Sequence, residues 1–391
     1  FTIEPEDFQF YEKIKVPPPT WCPKCRLMRR LYFRNERTLY PRSCQLCNKR
    51  IIAHYAPESD FVVYCRDCWW SDKWDPMSYG KDYNFKKPFF EQYAELKRSV
   101  PLLPLQEYGN NVNAAYSSYL KDAHNTYLSF SIVESEEVYY SRTVSGSLQV
   151  YDSFGVNKAE LVFQNVGCSR VFQSEYLLDC SDCIQCSFLF DCTNCQRCFM
   201  SNNLRNKQYV FRNQQLTKEE YEQKIKEVNF ASYATSESLK AEFRKMKQGA
   251  IHKYAYLQKT SSSTGDDIEN AKNSRMVFEG FDLENVKYTC RVFRSKDTYD
   301  VFGFAGGELV YEGINVGSPS QNTKFVMNTN PQGNNIAYCE NQTSGSYLFG
   351  CIGIRSKQYC VLNKQYSKEE YEKLLPKIIA HMNEMPYVDK L

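Results

Sequence analysis

Histidine is scarce in this chain of 391 residues: His54, His124, His252 and His381 are the only four. None stands in a metal or nucleophile motif, so histidine-based catalysis has no anchor in the sequence. A glycine-rich phosphate loop is lacking as well. "GFAGGELVYEG" has glycines but not the G-x-G-x-x-G order, and no helix pattern follows it. No apolar run approaches the roughly 18–20 residues of a membrane span. Neither sign of charge dominates, since 49 Lys+Arg against 46 Asp+Glu leave a net +3, so only the distribution of charge is informative. The chain begins at Phe1 instead of Met and reads as a piece of a longer protein, so a missing leader carries no information about export.

Cysteine and aromatic residues are abundant, with 17 Cys, 30 Tyr and 25 Phe. The cysteine count is odd and most of the thiols sit two residues apart, which suits metal knuckles better than long-range bridges and points to a reducing, cytoplasmic setting. Three C-x-x-C pairs open the chain: Cys22/Cys25, Cys44/Cys47 and Cys65/Cys68. A C-x-x-C turn presents two thiolates, and two such knuckles on facing hairpins make a tetrahedral zinc site. "NKRIIAHYAPESDFVVY", between Cys47 and Cys65, reads as strand, turn, strand, as a ribbon requires. Cys22 and Cys25 are then half of another ribbon. "FTIEPEDFQFYEKIKV" would be its connecting stretch, and a further C-x-x-C is expected upstream of Phe1.

"EDFQFYEKIKVPPPTWCPKCRLMRRLYFRNERTLYPRSC", "VYCRDCWWSDKWDPMSYGKDYNF" and the later "SYLFGCIGIRSKQYCVLNKQYSKEEYE" resemble an uncharacterised zinc-ribbon and repeat-domain family abundant in candidate-phyla (patescibacterial) bacteria. Members are sometimes labelled coenzyme A transferases, a chemistry that nothing in these residues supports. The resemblance implies an architecture and brings no activity with it.

Between Lys24 and Arg50 the charge is one-sided: Arg26, Arg29, Arg30, Arg34, Arg37 and Arg42, with three lysine or arginine neighbours, face only Glu36. Guanidinium groups pair with phosphates and the interleaved aromatics stack on unpaired bases. These six arginines are therefore the candidate nucleic-acid contacts, to RNA more readily than to duplex DNA. A solvated basic face, or a protein contact, is the competing reading.

From Val150 the sequence falls into lines of twelve: "VYDSFGVNKAEL", "VFQNVGCSRVFQ", "SEYLLDCSDCIQ", "CSFLFDCTNCQR", "CFMSNNLRNKQY". Such a short period with small apolar residues in register predicts a narrow β-solenoid of two short strands and two turns per rung. Cys168, Cys180 and Cys192 then form an internal ladder, with Cys183 over Cys195 and Cys186 over Cys198. We read them as buried thiols acting as small hydrophobes. A zinc or iron–sulfur site and inter-rung disulfides are the alternatives.

A longer duplication encloses this one. "LRNKQYVFRNQQLTKEEYEQKI" returns as "IRSKQYCVLNKQYSKEEYEKLL", and the twelve-residue lines resume from Glu312 with few cysteines. Each copy ends in a capping box, Thr217 with Glu220 and Ser367 with Glu370, ahead of helices expected over Lys218–Val228 and Lys368–Met382. The repeated Arg205/Lys207 and Arg355/Lys357 are weak candidates for partner binding; the competing reading is a helix anchor.

The expected fold is mainly β with helical caps: zinc ribbons, then a duplicated solenoid with about 12 residues per rung. The expected segments are a truncated ribbon half (1–39), a second ribbon (40–75), a helical or irregular connector (76–125), solenoid copy one (126–216), a helical cap and linker (217–275), copy two (276–366) and a cap helix (367–391). The expected function is non-catalytic binding, with zinc as cofactor, nucleic acid or ribonucleoprotein on the ribbons and a second, protein partner on the solenoid. No membrane and no small-molecule cofactor are expected. A self-assembling scaffold is the alternative, and a carbohydrate-active β-helix enzyme the third reading.

Overall fold

The computed structural model describes residues 1–329 and 333–385, with Phe304 and Ala305 described by their backbone alone. The cap expected over 367–391 and the rung "KFVMNTNPQGNN" therefore lie partly outside the described residues. The fold is mainly β, 44% strand against 22% helix. Seven helices are described: α1 (Pro5–Ile14), α2 (Pro23–Tyr32), α3 (Arg66–Trp69), α4 (Phe89–Ser99), α5 (Lys218–Lys226), α6 (Tyr233–Gly249) and α7 (Lys368–Glu384). None is long and apolar enough to cross a membrane. The chain divides into two compact units, residues 105–253 and residues 1–104 with 254–391.

The unit of residues 105–253 is a coil of parallel strands. Val144 pairs with Val156, Val156 with Cys168 and Cys183 with Cys195, always twelve residues on. Each turn has four sides of three residues, where the sequence pattern suggested two strands and two turns. Every third residue faces inward and is buried, and the residue before it has positive φ: Gln149, Asp152, Lys158, Leu161 and Gln164 are examples, with Gly155 keeping the step. Left-handed backbone costs a non-glycine residue about 1–3 kcal/mol. It recurs here because each such residue donates its N–H to the preceding turn, as Lys158 does to the Ser145 carbonyl (2.8 Å) and Arg170 to that of Asn157 (2.9 Å).

Four inner columns result. One runs Ile132, Val144, Val156, Cys168, Cys180, Cys192; a second Ser135, Ser147, Ala159, Val171, Cys183, Cys195. The serine of a column has a defined job: Ser141 Oγ donates to the Tyr139 carbonyl (2.8 Å) and accepts the N–H of Ser153 (3.0 Å) one turn later. Cysteine fills the same place. Cys192 Sγ donates to the Phe190 carbonyl (3.3 Å) and accepts the Leu204 N–H (3.4 Å). Burial pushes the Cys180 thiol well up, as expected of a small hydrophobe inside a core. The coil ends under α5 and α6, where Phe188, Phe199 and Phe211 pack with Tyr221 and Leu239. Thr217 and Glu220 form the expected capping box at the start of α5.

The other unit carries the second copy. Its eight strands make a barrel-like wall, parallel except for the closing hairpin of Cys360–Val361 with Lys364–Gln365. Pairing is again twelve residues on at Gly265 with Val277, becomes thirteen at Gly307 with Ser320 and at Ser320 with Gly333, and returns to twelve at Asn334 with Ser346. The unbroken twelve-residue register expected from Glu312 is thus corrected: two successive turns each admit an extra residue. The expected linker "KTSSSTGDDIENAK" is likewise part of the wall, in the strands Leu257–Ser261 and Gly265–Lys272. Its polar residues misled because serine suits an inner column (Ser274 Oγ accepts the Val286 N–H) and Asn or Asp suits a left-handed corner.

Residues 1–104 pack on this second copy. The stretch read as a ribbon's connector is helix α1, whose Phe10 stacks on Tyr299 at 3.9 Å. Helix α4, expected from "KKPFFEQYAELKRSV", packs Phe89 and Leu96 with Phe349, Ile352 and Val361. Ser367 and Glu370 form the second capping box, at α7.

The inner columns set a size limit that can be measured. Cys180→Val and Cys192→Val should each change stability by less than about 1.5 kcal/mol, whereas Cys192→Phe should cost about 1–3 kcal/mol or more by overpacking. Thermal unfolding followed by far-ultraviolet circular dichroism checks both. A Val variant that unfolds the coil would show that cysteine is required there for more than its volume.

Candidate metal centre

The ribbon begins with a short hairpin, β1 (Tyr40–Ser43) paired antiparallel with β2 (Arg50–Ala53). Its turn holds Cys44 and Cys47; Asn48, just past the knuckle, takes the left-handed conformation at φ 60°. Cys65 caps α3 and Cys68 follows in its first turn. The two knuckles bring the ligand atoms of Cys44, Cys47, Cys65 and Cys68 within 4.8 Å of one another. Cys47 Sγ and Cys65 Sγ are 3.8 Å apart, close to the edge of a tetrahedron with metal–sulfur bonds of about 2.3 Å. Backbone N–H groups point at the sulfurs, from Cys65 to Cys44 Sγ (3.1 Å) and from Cys68 to Cys65 Sγ (3.4 Å). The donor set therefore fits a thiophilic dication, and the cluster can hold a metal ion.

The electrostatics agree. Burial pushes the Cys44 thiol up, but the N–H groups of Cys65, Cys47 and Leu46 pull harder and bring it down to about 7. Burial and the neighbouring thiols push Cys68 up. Four thiols this close cannot all ionise without a cation, so binding must release protons.

Cys22 and Cys25 lie apart from this cluster, with sulfurs 3.4 Å apart and Cys25 exposed. Among the described residues they join no group of three or more metal-ligating side chains.

Most of the candidate nucleic-acid arginines face inward. Arg26 is buried, donating from Nε to Asp300 at 3.0 Å with a second contact of 2.9 Å. Arg30, also buried, bridges Asp300 (3.1 Å) and Glu312 (3.2 Å). Arg29 pairs with Glu312, and Arg34 donates to Asn315. Arg42 donates to the carbonyls of Ala56 (2.9 Å) and Phe61 (3.0 Å). Arg37 is exposed. Sequence reasoning missed the acceptors, although comparing the two copies offered a signal: Glu312 of "ELVYEG" stands where the first copy has Gln164 in "ELVFQN".

The paired motifs at the coil ends have diverged. Arg205 donates to Asp191 (2.8 Å), which also receives Lys253 (2.7 Å), and Lys207 is exposed. Arg355 instead lies over Trp69 and Trp74, each at 5.0 Å, with Trp70 at 5.9 Å; Lys357 is half-buried. Trp69 donates its indole N–H to the Pro101 carbonyl (3.0 Å). The tryptophans that follow the last knuckle thus hold Arg355 in a cation–π cage.

In comparisons with known proteins, no family model and no curated protein matches this chain.

Two outcomes follow. Cys44→Ser should lose tightly bound metal and lower the tryptophan-reported melting temperature, and the wild-type chain should release metal as pH falls, because protons compete with the ion for the thiolates; metal analysis after gel filtration across a pH series reads both. Separately, Asp300→Ala strands two buried guanidinium groups and should cost about 3–5 kcal/mol, against less than about 1 kcal/mol for breaking the exposed Lys87–Glu95 pair. Denaturant titration followed by tryptophan fluorescence compares the two.

Proposed function

We propose that this chain is a non-catalytic, zinc-stabilised scaffold built on two narrow β-solenoids, in which the ribbon segment serves as a clamp on the second solenoid. The solenoid reading is supported by the constant pairing of each residue with one twelve or thirteen places on. The zinc reading is supported by the tetrathiolate donor set, which suits zinc's soft, tetrahedral coordination. The observation that carries the clamp is the double salt bridge of Arg26 and Arg30 with Asp300 and Glu312. Guanidinium groups engaged there cannot also grip phosphates. The buried carboxylates are matched by cations, Asp7 by Lys287 and Asp191 by Arg205 and Lys253, which favours structure over acid–base chemistry.

What the solenoids offer a protein partner is their outer ladders. Gln173, Gln185 and Arg197 are linked turn to turn, Asn194 bonds Asn206, and Tyr139 stacks on Tyr151 at 5.5 Å. The nucleic-acid reading keeps the exposed Lys24, Arg37, Lys49 and Arg50.

Two measurements separate the readings. A fluorescent single-stranded RNA should show no tight, salt-sensitive binding; binding that falls steeply with salt and is lost in a Lys24, Arg37, Lys49, Arg50→Glu variant would restore the nucleic-acid function. Chelation under reducing conditions should expose residues 40–75 to trypsin while the coils stay protected. A ribbon that stays equally protected without metal would defeat the zinc-stabilised part of the reading, and Arg26→Ala/Arg30→Ala that leaves residues 1–75 equally protected would defeat the clamp.

A further inference from the structure

The Cys22/Cys25 pair has no role in the cluster described above, yet it is built in the same way as half of it. Cys22 caps α2 with φ −65° and ψ 159°, and Cys65 caps α3 with φ −62° and ψ 163°. In each case the second cysteine sits in the first turn of the helix; the Cys68 N–H also points back at the Cys65 sulfur, whereas Cys22 makes no side-chain cap bond. The two knuckles share the backbone conformation at the cap and the position of both cysteines. One is faced by Cys44 and Cys47; the other presents its sulfurs outward, 3.4 Å apart.

The surroundings of Cys25 supply a second, independent observation. Met28 and Tyr32 are 69% and 87% exposed, and with Cys25 they fall on one stripe of α2, at i, i+3 and i+7; Trp21, just before the helix, is 51% exposed with Arg29 over its ring at 5.2 Å. The opposite side of α2 is held by Arg26 and Arg30 on the second coil. An apolar stripe of this kind, centred on a thiol, is the surface that a facing knuckle would cover.

We propose that Cys22 and Cys25 are half of a second tetrathiolate site, which takes a soft divalent cation and two further thiolates from another C-x-x-C knuckle packed over Trp21, Met28 and Tyr32. Two thiolates alone leave a tetrahedral ion half-coordinated. The occupant is a second copy of this chain, which supplies the other two through its own Cys22 and Cys25, the knuckle of residues 1–104 that joins no larger thiol group among the described residues. The inference borrows from the proposed zinc reading only the choice of metal.

The test uses the full chain, reduced and metal-free, titrated with Zn(II) alone. Metal content is measured after gel filtration, and mass by sedimentation. The expected result is about one ion per chain at the Cys44 cluster, then about half an ion more per chain with formation of a dimer. Cys22→Ser/Cys25→Ser should stop at about one ion and stay monomeric. Cys44→Ser/Cys47→Ser should keep the half equivalent and the dimer. Wild-type chain with the same metal content and mass as the Cys22→Ser/Cys25→Ser variant would overturn the proposal. A wild-type chain that binds only the half equivalent, as a dimer, would uphold it and remove the Cys44 cluster instead.

Discussion

The narrowness of the coil is the constraint from which the rest follows. A turn of twelve residues with every third side chain inward has room for only four side chains in its interior. Large residues cannot enter, and each inner amide lies against the side chain one turn before it. Serine meets that need as donor and acceptor, valine fills volume, and cysteine does some of each. The Cys180, Cys183, Cys186, Cys192, Cys195 and Cys198 run is thus an answer to a packing problem. The second copy supports this, since Cys339, Cys351 and Cys360 share its core with Val292, Val301 and Ile336.

A coil so thin has little core, so its stability depends on what covers its ends and sides. Aromatic residues do this outside the columns. Phe188 and Phe199 meet the cap helices at the end of the first copy, and Phe349 and Val361 meet α4 on the second. Along the second coil, α1 and α2 add Phe10 on Tyr299 and the Arg26–Asp300 pair. The buried ion pairs fix which strand places face α2, because a shift by one turn would leave two guanidinium groups and two carboxylates without partners.

How much of this was legible depended on whether the signal was local. The period of twelve, the stacked cysteines, both capping boxes and the four-cysteine ribbon could be read because spacing alone specifies them. The square turn was hidden, because its left-handed corners are occupied by Gln149, Lys158 and Leu161, residues with no turn signature. The arginines were legible as a basic run but not as a buried one. A guanidinium looks alike in sequence whether it awaits a phosphate or meets Asp300 from a distant strand. The serine-rich start of the second coil resembled a linker because composition reports polarity and not the column that makes use of it.

An ion held by the four-cysteine cluster would act on the coil through the cluster's neighbours in sequence. Cys68 is followed at once by Trp69, so an ion that fixes the Cys65/Cys68 knuckle also fixes α3 and the indole that covers Arg355. Trp74 closes the other side of that guanidinium and donates to the Trp69 carbonyl at 2.9 Å. In the first copy the equivalent Arg205 turns instead to Asp191. One duplicated motif has therefore been stabilised in two ways, by a carboxylate in the first copy and by tryptophans in the second. That divergence is what a structural anchor allows. A pair of binding sites kept for one ligand would have to keep one geometry, and these two arginines do not.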